Sequence, residues 1–122
     1  QLKPLIDIPR MARLAQEMVR KSLDGFVRRD TDLARSVIEA DDEVDSLRDQ
    51  VFRELLTYMI SDPSTIPRAL DLILVSRHLE RIADHATNIA EDVIYIVRGE
   101  DVRERGDKEL RKGLRLPGPK TG

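Results

Sequence analysis

Two pairs of carboxylates carry most of the chemistry this sequence could perform. Asp41 and Asp45 lie four residues apart, and so do Glu80 and Asp84. On a helix, residues at that spacing share one face, with Cβ atoms about 5–6 Å apart. Like charges so placed destabilise a helix by about 0.2–0.5 kcal/mol per pair. Such pairs must be solvated, matched by a counter-charge, or used. If the two helices were neighbours, four carboxylates would face one space. Oxygen donors of that kind suit hard or borderline cations: Mg²⁺, Mn²⁺, Fe, Ni²⁺ or Zn²⁺. Asn88, one turn beyond Asp84, adds a neutral oxygen, and Glu91 adds a further carboxylate. The plain alternative is a solvated acidic face, with Arg48, Arg77 and Arg81 near enough to pair with these acids.

Other reactive groups are sparse. His78 and His85 are the only histidines. A ferritin-like di-iron bundle needs Glu-x-x-His on paired helices. Positions 75 and 82 are Val and Ile, so neither histidine completes that motif. His85, beside Asp84, could act as an extra ligand or a pH-sensitive group; the plainer reading is a partly buried polar residue at a bundle edge. The absence of cysteine removes disulfides, thiolate metal sites and cysteine nucleophiles, and fits a reducing cytosol. There is no glycine-rich phosphate loop, nucleophile elbow or zinc-protease helix. Ser22, Ser36, Ser46 and Ser76 fall inside helical patterns without an evident base. They read as helix-surface or close-packing residues, and the chain reads as non-enzymatic.

Three long helical patterns position these residues. The first is expected over about residues 8–28, with Asp7 as N-cap and Pro9 in the first turn. Its apolar residues Met11, Leu14, Ala15, Met18, Leu23, Phe26 and Val27 recur mostly at steps of three and four, and Gly25 weakens the run near its end. The second starts after Asp30 or Thr31. Leu33, Val37, Ala40, Val44, Leu47 and Val51 form a heptad seam, which Asp62 and Pro63 end. The third starts near Ser64 or Thr65. Its expected seam is Leu72, Val75, Leu79, Ile82, Ala86, Ile89, Val93 and Ile96, with Gly99 as the residue that stops the helix. Short links between helices of about 45 Å force antiparallel neighbours. The expected fold is all-α: an antiparallel up-down-up three-helix bundle over residues 1–102. A polar basic tail, 103–122, is partly disordered, with a short helical stretch around 107–112.

Composition agrees. Of 122 residues, 40% are hydrophobic and 36% charged, with two Phe, two Tyr and no Trp. That mixture suits helices that bury Leu, Ile, Val and Ala and approach one another closely. The formal charge of −2 argues against a dedicated nucleic-acid binder. No run of about 20 apolar residues predicts membrane insertion, and no signal-peptide pattern is present. Opening on Gln1 rather than Met is the pattern of a piece of a longer protein.

The helix Arg77-His-Leu-Glu-Arg-Ile-Ala-Asp-His-Ala-Thr-Asn-Ile-Ala-Glu91 resembles the signature helix of the PhoU family. The Asp41-Asp-Glu-Val-Asp45 segment resembles its companion. Ile8-Pro-Arg-Met-Ala12 and the linker from Tyr58 to Pro67 also match the family's phrasing, in the right order, over about residues 2–102. The resemblance implies one of two tandem three-helix repeats, the C-terminal one, with acidic motifs at Asp41–Asp45 and Glu80–Asp84. It implies that these motifs bind a metal-ion cluster, iron first among candidates. It also implies a cytoplasmic regulator that works with a Pst-type phosphate ABC transporter and a PhoR-type histidine kinase to hold the phosphate-starvation response off. Two alternatives remain: a PhoU-like domain appended to a sodium/phosphate cotransporter, or a structural helical module without metal. Only one repeat is present, so a homodimer could imitate two; Leu5, Ile60 and Tyr95 are candidates for its interface.

Overall fold

A computed structural model describes residues 4–114, and side chains from 7 to 113. Three α-helices make up almost all of it: α1 (Pro4–Arg28), α2 (Thr31–Ser61) and α3 (Ile66–Leu114). A single 3₁₀ turn, Pro63–Thr65, links the last two. Each helix packs against both others in an up-down-up bundle, and no strand occurs among the described residues.

The first link is two residues long because each end of it is capped. α1 closes in a Schellman arrangement: the Asp30 amide donates to the Gly25 carbonyl at 2.9 Å, and the Arg29 amide to the Phe26 carbonyl at 3.4 Å. Arg29 takes the left-handed conformation, φ 55°, that glycine usually fills there. Asp30 then caps α2, its Oδ1 accepting from the Leu33 amide at 3.0 Å. Asp62 ends α2 and starts the 3₁₀ turn, accepting from the Ser64 amide and hydroxyl at 3.1 and 2.7 Å. These hydrogen bonds favour its ionised form and hold the Asp62 carboxyl below the usual carboxylate range.

The core is built from small and branched residues with two methionines among them. α1 contributes Ile8, Met11, Ala15 and Met18, and α2 contributes Ala34, Val37, Val44, Leu47, Val51 and Leu55. α3 contributes Ala69, Ala83, Ala86, Ala90 and Val93. The expected seam of α2 is largely the observed one. Those of α1 and α3 hold only in part. On α1 the stripe continues through buried Ser22 and Gly25, while Leu23, Phe26 and Val27 are exposed. On α3 the stripe runs through Ala69, Leu72, Ser76, Leu79, Ala83, Ala86, Ala90, Val93 and Val97. Half of the expected positions shift by one residue, and Val75, Ile82 and Ile96 move to exposed flanks. The positions that face the other helices are the ones with smaller side chains, Ser76, Ala83 and Ala90 in place of Val75, Ile82 and Ile89. Ser22 and Ser76 enter the seam because each hydroxyl donates to its own helix, to Val19 O at 2.8 Å and Ile73 O at 2.7 Å. Gly25 has a matching reason: a Cβ there would lie 3.3 Å from the Asp30 carbonyl oxygen and 3.6 Å from the Ala34 amide.

Several helix ends differ from expectation. α1 starts at Pro4, so Asp7 is not its cap but a buried first-turn acid, and Pro9 sits inside the helix. α3 does not stop at Gly99; it continues to Leu114, so the first part of the expected tail is helical. One glycine costs a helix only about 1 kcal/mol. The Glu-, Arg- and Lys-rich sequence after it offsets that cost with good helix formers. Residues 115–122, the rest of the expected tail, lie outside the described residues, as does the side chain of Leu5.

Candidate functional site

The antiparallel register of α2 and α3 brings the acidic motifs to one side of the bundle. Asp41, Asp45 and Asp84 are close enough to interact electrostatically across the two helices. The Asp41 carboxyl is pushed above the usual carboxylate range, first by burial, then by the charges of Asp45, Asp84 and Asp42. Arg48 acts in the opposite direction but less strongly. Asp41 Oδ1 is enclosed and accepts no hydrogen bond among the described residues. Asp41 is thus the point where desolvation and like charge coincide.

Arg48 organises the neighbouring acids. Its guanidinium reaches Asp49 Oδ1 at 3.1 Å and Asp45 Oδ1 at 3.8 Å on its own helix. Across the interface it forms an ion pair with Glu80. The pairing follows from helix geometry, since Arg48 stands three residues after Asp45 and points the same way. Arg48, Arg77, Glu80 and Phe52 line a shallow groove of about 310 Å³ between α2 and α3. The expected pairing of acids with Arg77 and Arg81 does not form; among the described residues neither makes an ion pair. Arg10 instead bridges from α1 to Glu43 at 3.0 Å.

The six expected ligands therefore fall into three groups. Asp45 and Asp84 both act on Asp41 through their charges, and Glu80 is matched by Arg48. Asn88 and Glu91 are exposed further along α3 and join neither group through a hydrogen bond or ion pair. Both histidines are exposed, not tucked into the bundle edge. In donor type and charge these three carboxylates suit a cation, and Asp41 Oδ1 is enclosed without a hydrogen-bond partner. Yet among the described residues no three acids or histidines converge as a ready-made ligand set. The burial of Asp41 was hidden in the sequence, because it depends on how α2 sits against α3. The Asp45-to-Arg48 spacing was the available signal for the counter-charge.

The bundle has counterparts in known proteins. The family model described as the PhoU domain matches residues 8–93. The phosphate-specific transport system accessory protein PhoU homolog of Pseudomonas aeruginosa is 50% identical over 107 residues, covering 88% of this chain and 44% of that protein. The homolog from Aquifex aeolicus is also 50% identical, over 108 residues, covering 88% of this chain and 49% of that protein. The Escherichia coli accessory protein PhoU is 37% identical over 110 residues, covering 90% and 46%. The crystal structure of PhoU from Pseudomonas aeruginosa superposes with a TM-score of 0.75 at 49% identity, covering 77% of this chain and 45% of that one. The chain thus spans somewhat less than half the length of these relatives. Within that span the identity is high and the match is collinear with all three helices, and the chain belongs to the PhoU domain family.

Proposed function

We propose that this chain is a regulatory module of phosphate uptake. It acts in the cytoplasm on a Pst-type phosphate transporter and a PhoR-type sensor kinase to restrain the phosphate-starvation response. The observation that carries the reading is 50% identity, over 88% of the chain, to a relative named as an accessory protein of the phosphate-specific transport system. The role is accessory, not catalytic. No helix among the described residues is long and apolar enough to cross a membrane, so contact with a transporter would run through the helix faces. Those faces carry exposed apolar residues: Leu23 of α1 with Ile82 of α3 beside it, and Phe52 of α2. Capture of a Pst-type transporter from detergent extracts by the immobilised chain, with a PhoR-type kinase assayed alongside, tests this. Retention of neither protein would refute it.

The acidic face supports a second part of the proposal. Asp41, Asp45 and Asp84 would hold a metal ion, iron or another divalent cation, and Glu80 would join if released from Arg48. Asn88 and Glu91 would extend the ligand set along α3. A bound cation would supply positive charge where three carboxylates now repel one another. Elemental analysis and melting curves with Fe, Mn, Ni, Zn and Mg test this on the wild type and on an Asp45→Ala, Asp84→Ala variant. Bound metal with a raised Tm, both lost in the variant, is the expected result. A second reading has its own observation: Arg48 already balances Asp45, Asp49 and Glu80. On that reading the acids are surface charge, and no cation changes the Tm.

A further inference from the structure

The far end of α3 has no partner within the described chain. Arg29, at the α1–α2 turn, reaches Glu100 at 3.3 Å, which marks the level where the bundle ends. From there the helix projects alone: residues 101–110 are all exposed, although α3 continues to Leu114. Its 49 residues span about 74 Å at 1.5 Å per residue. One face of the projection carries Gly99, Val102, Gly106, Leu110 and Gly113, at helical steps of three and four. Val102 and Leu110 are 61% and 60% exposed. The three glycines repeat at intervals of seven, and a Cβ at any of them would meet nothing within 4 Å. Glycine weakens a helix, and nothing inside the described chain requires it at these places.

The charges say what covers this face. Around Gly106 the segment 99–113 is its own complement when reversed. Arg105 mirrors Asp107, Glu104 mirrors Lys108 and Arg103 mirrors Glu109. Further out, Val102 mirrors Leu110, Gly99 mirrors Gly113, and the acids Glu100 and Asp101 mirror the bases Lys112 and Arg111. Every charged position meets the opposite sign, and every uncharged position meets its like. Two copies laid antiparallel about Gly106 therefore set opposite charges level along their whole contact. A parallel pair would set like charges level.

We propose that a second copy of this chain docks here, the two α3 ends crossing antiparallel about a two-fold axis at Gly106. The glycine-lined face permits close approach, and Val102 of each copy packs beside Leu110 of the other. At about 100° per residue, Arg103 and Asp107 fall on one flank of that face, and Arg105 and Glu109 on the other. Arg103 then lies beside the partner's Asp107, and Arg105 beside the partner's Glu109, each pair occurring twice by symmetry. The two bundles stand at opposite ends of the crossed pair. The competing description is a solitary solvated helix held by pairs of its own, such as Lys108–Glu104 at 3.9 Å.

Sedimentation equilibrium on the full chain separates the two. At low salt the mass should rise from 14.0 kDa towards twice that value with concentration, and added salt should reverse the rise. R103E/R105E and D107K/E109K should each stay monomeric. Mixed in equal amounts they should dimerise again, since every cross-pair regains opposite charges. Both variants break the same pairs within one helix, and mixing does not mend those, so recovery reads contact between copies alone. Circular dichroism establishes that each variant remains helical. For direction, Gly99→Cys and Gly113→Cys chains should cross-link on mixing, while Gly99→Cys alone should not, its two thiols lying about 21 Å apart along the axis. A wild type that stays monomeric at its highest soluble concentration overturns the proposal. So does a dimer indifferent to the charge reversals, or a mixture that stays monomeric.

Discussion

Asp41 offers the sharpest test of how the acidic face is balanced. Replacing it with Asn keeps the shape and removes one charge from beside Asp45, Asp42 and Asp84, while Arg48 loses only its weaker pull. A like-charge pair at four residues costs about 0.2–0.5 kcal/mol. Taking the repulsion from Asp84 across the interface as of the same order, Asp41→Asn should stabilise the metal-free protein by about 0.5–1 kcal/mol. For a chain of this size that is a rise in Tm of roughly 2–5 °C. The pH dependence carries a definite sign. Asp41 has a raised carboxyl pKa in the folded chain, so folding is penalised only where the group is ionised in the unfolded chain. Below the ordinary value of 3.8 the penalty is absent. It grows as pH rises through the folded pKa and is complete above it. The assay is thermal melting of wild type and Asp41→Asn in chelator and low salt, from acid to neutral pH. The curves should coincide at the acid end and separate with Asn ahead, the gap shrinking in salt. An Asn variant that melts at or below the wild type at neutral pH would refute the reasoning. Asp41 would then be receiving stabilisation from a neighbour that outweighs the repulsion.

Three further outcomes follow from the packing and caps. Leu55 is fully buried on α2, so Leu55→Ala should cost about 2–5 kcal/mol, read as a lower urea midpoint at unchanged slope. Gly25→Ala sets a gain of about 1 kcal/mol in helix propensity against a Cβ only 3.3 Å from a backbone oxygen that anchors the turn. Overpacking of that kind costs about 1–3 kcal/mol, so the net change should be a loss, seen as a lower Tm; a rise would show that the α1–α2 turn yields. Asp30→Ala removes the cap from the Leu33 amide and should cost about 0.5–2 kcal/mol by the same measurement.

How much of this was legible in the sequence depended on what each residue had to compete with. α2 was readable because its signals agree: Asp30 caps it, Asp62 and Pro63 end it, and Val37, Val44, Leu47 and Val51 lie on one stripe that is also the buried one. α3 misled because hydrophobicity and packing point to different faces. The large residues Val75, Ile82 and Ile96 outweigh the small residues Ser76, Ala83 and Ala90 in any apolar count, yet the small ones allow the helices to meet. An alanine stripe flanked by larger apolar residues is thus the mark of a tight antiparallel contact, and the displaced Ile82 marks a second face, open beside α1. The acidic motifs were legible as motifs, since their spacing is local, but their inequality was not. Glu80 and Asp84 look equivalent in sequence, and only the register across α2 gives Glu80 to Arg48 and leaves the Asp84 charge acting on Asp41. The same register governs any cation there. A ligand would have to compete with Arg48 for Glu80 and Asp45 but would meet no competitor at the unpartnered oxygen of Asp41. Binding should therefore begin at Asp41, the residue whose charge the folded chain tolerates least.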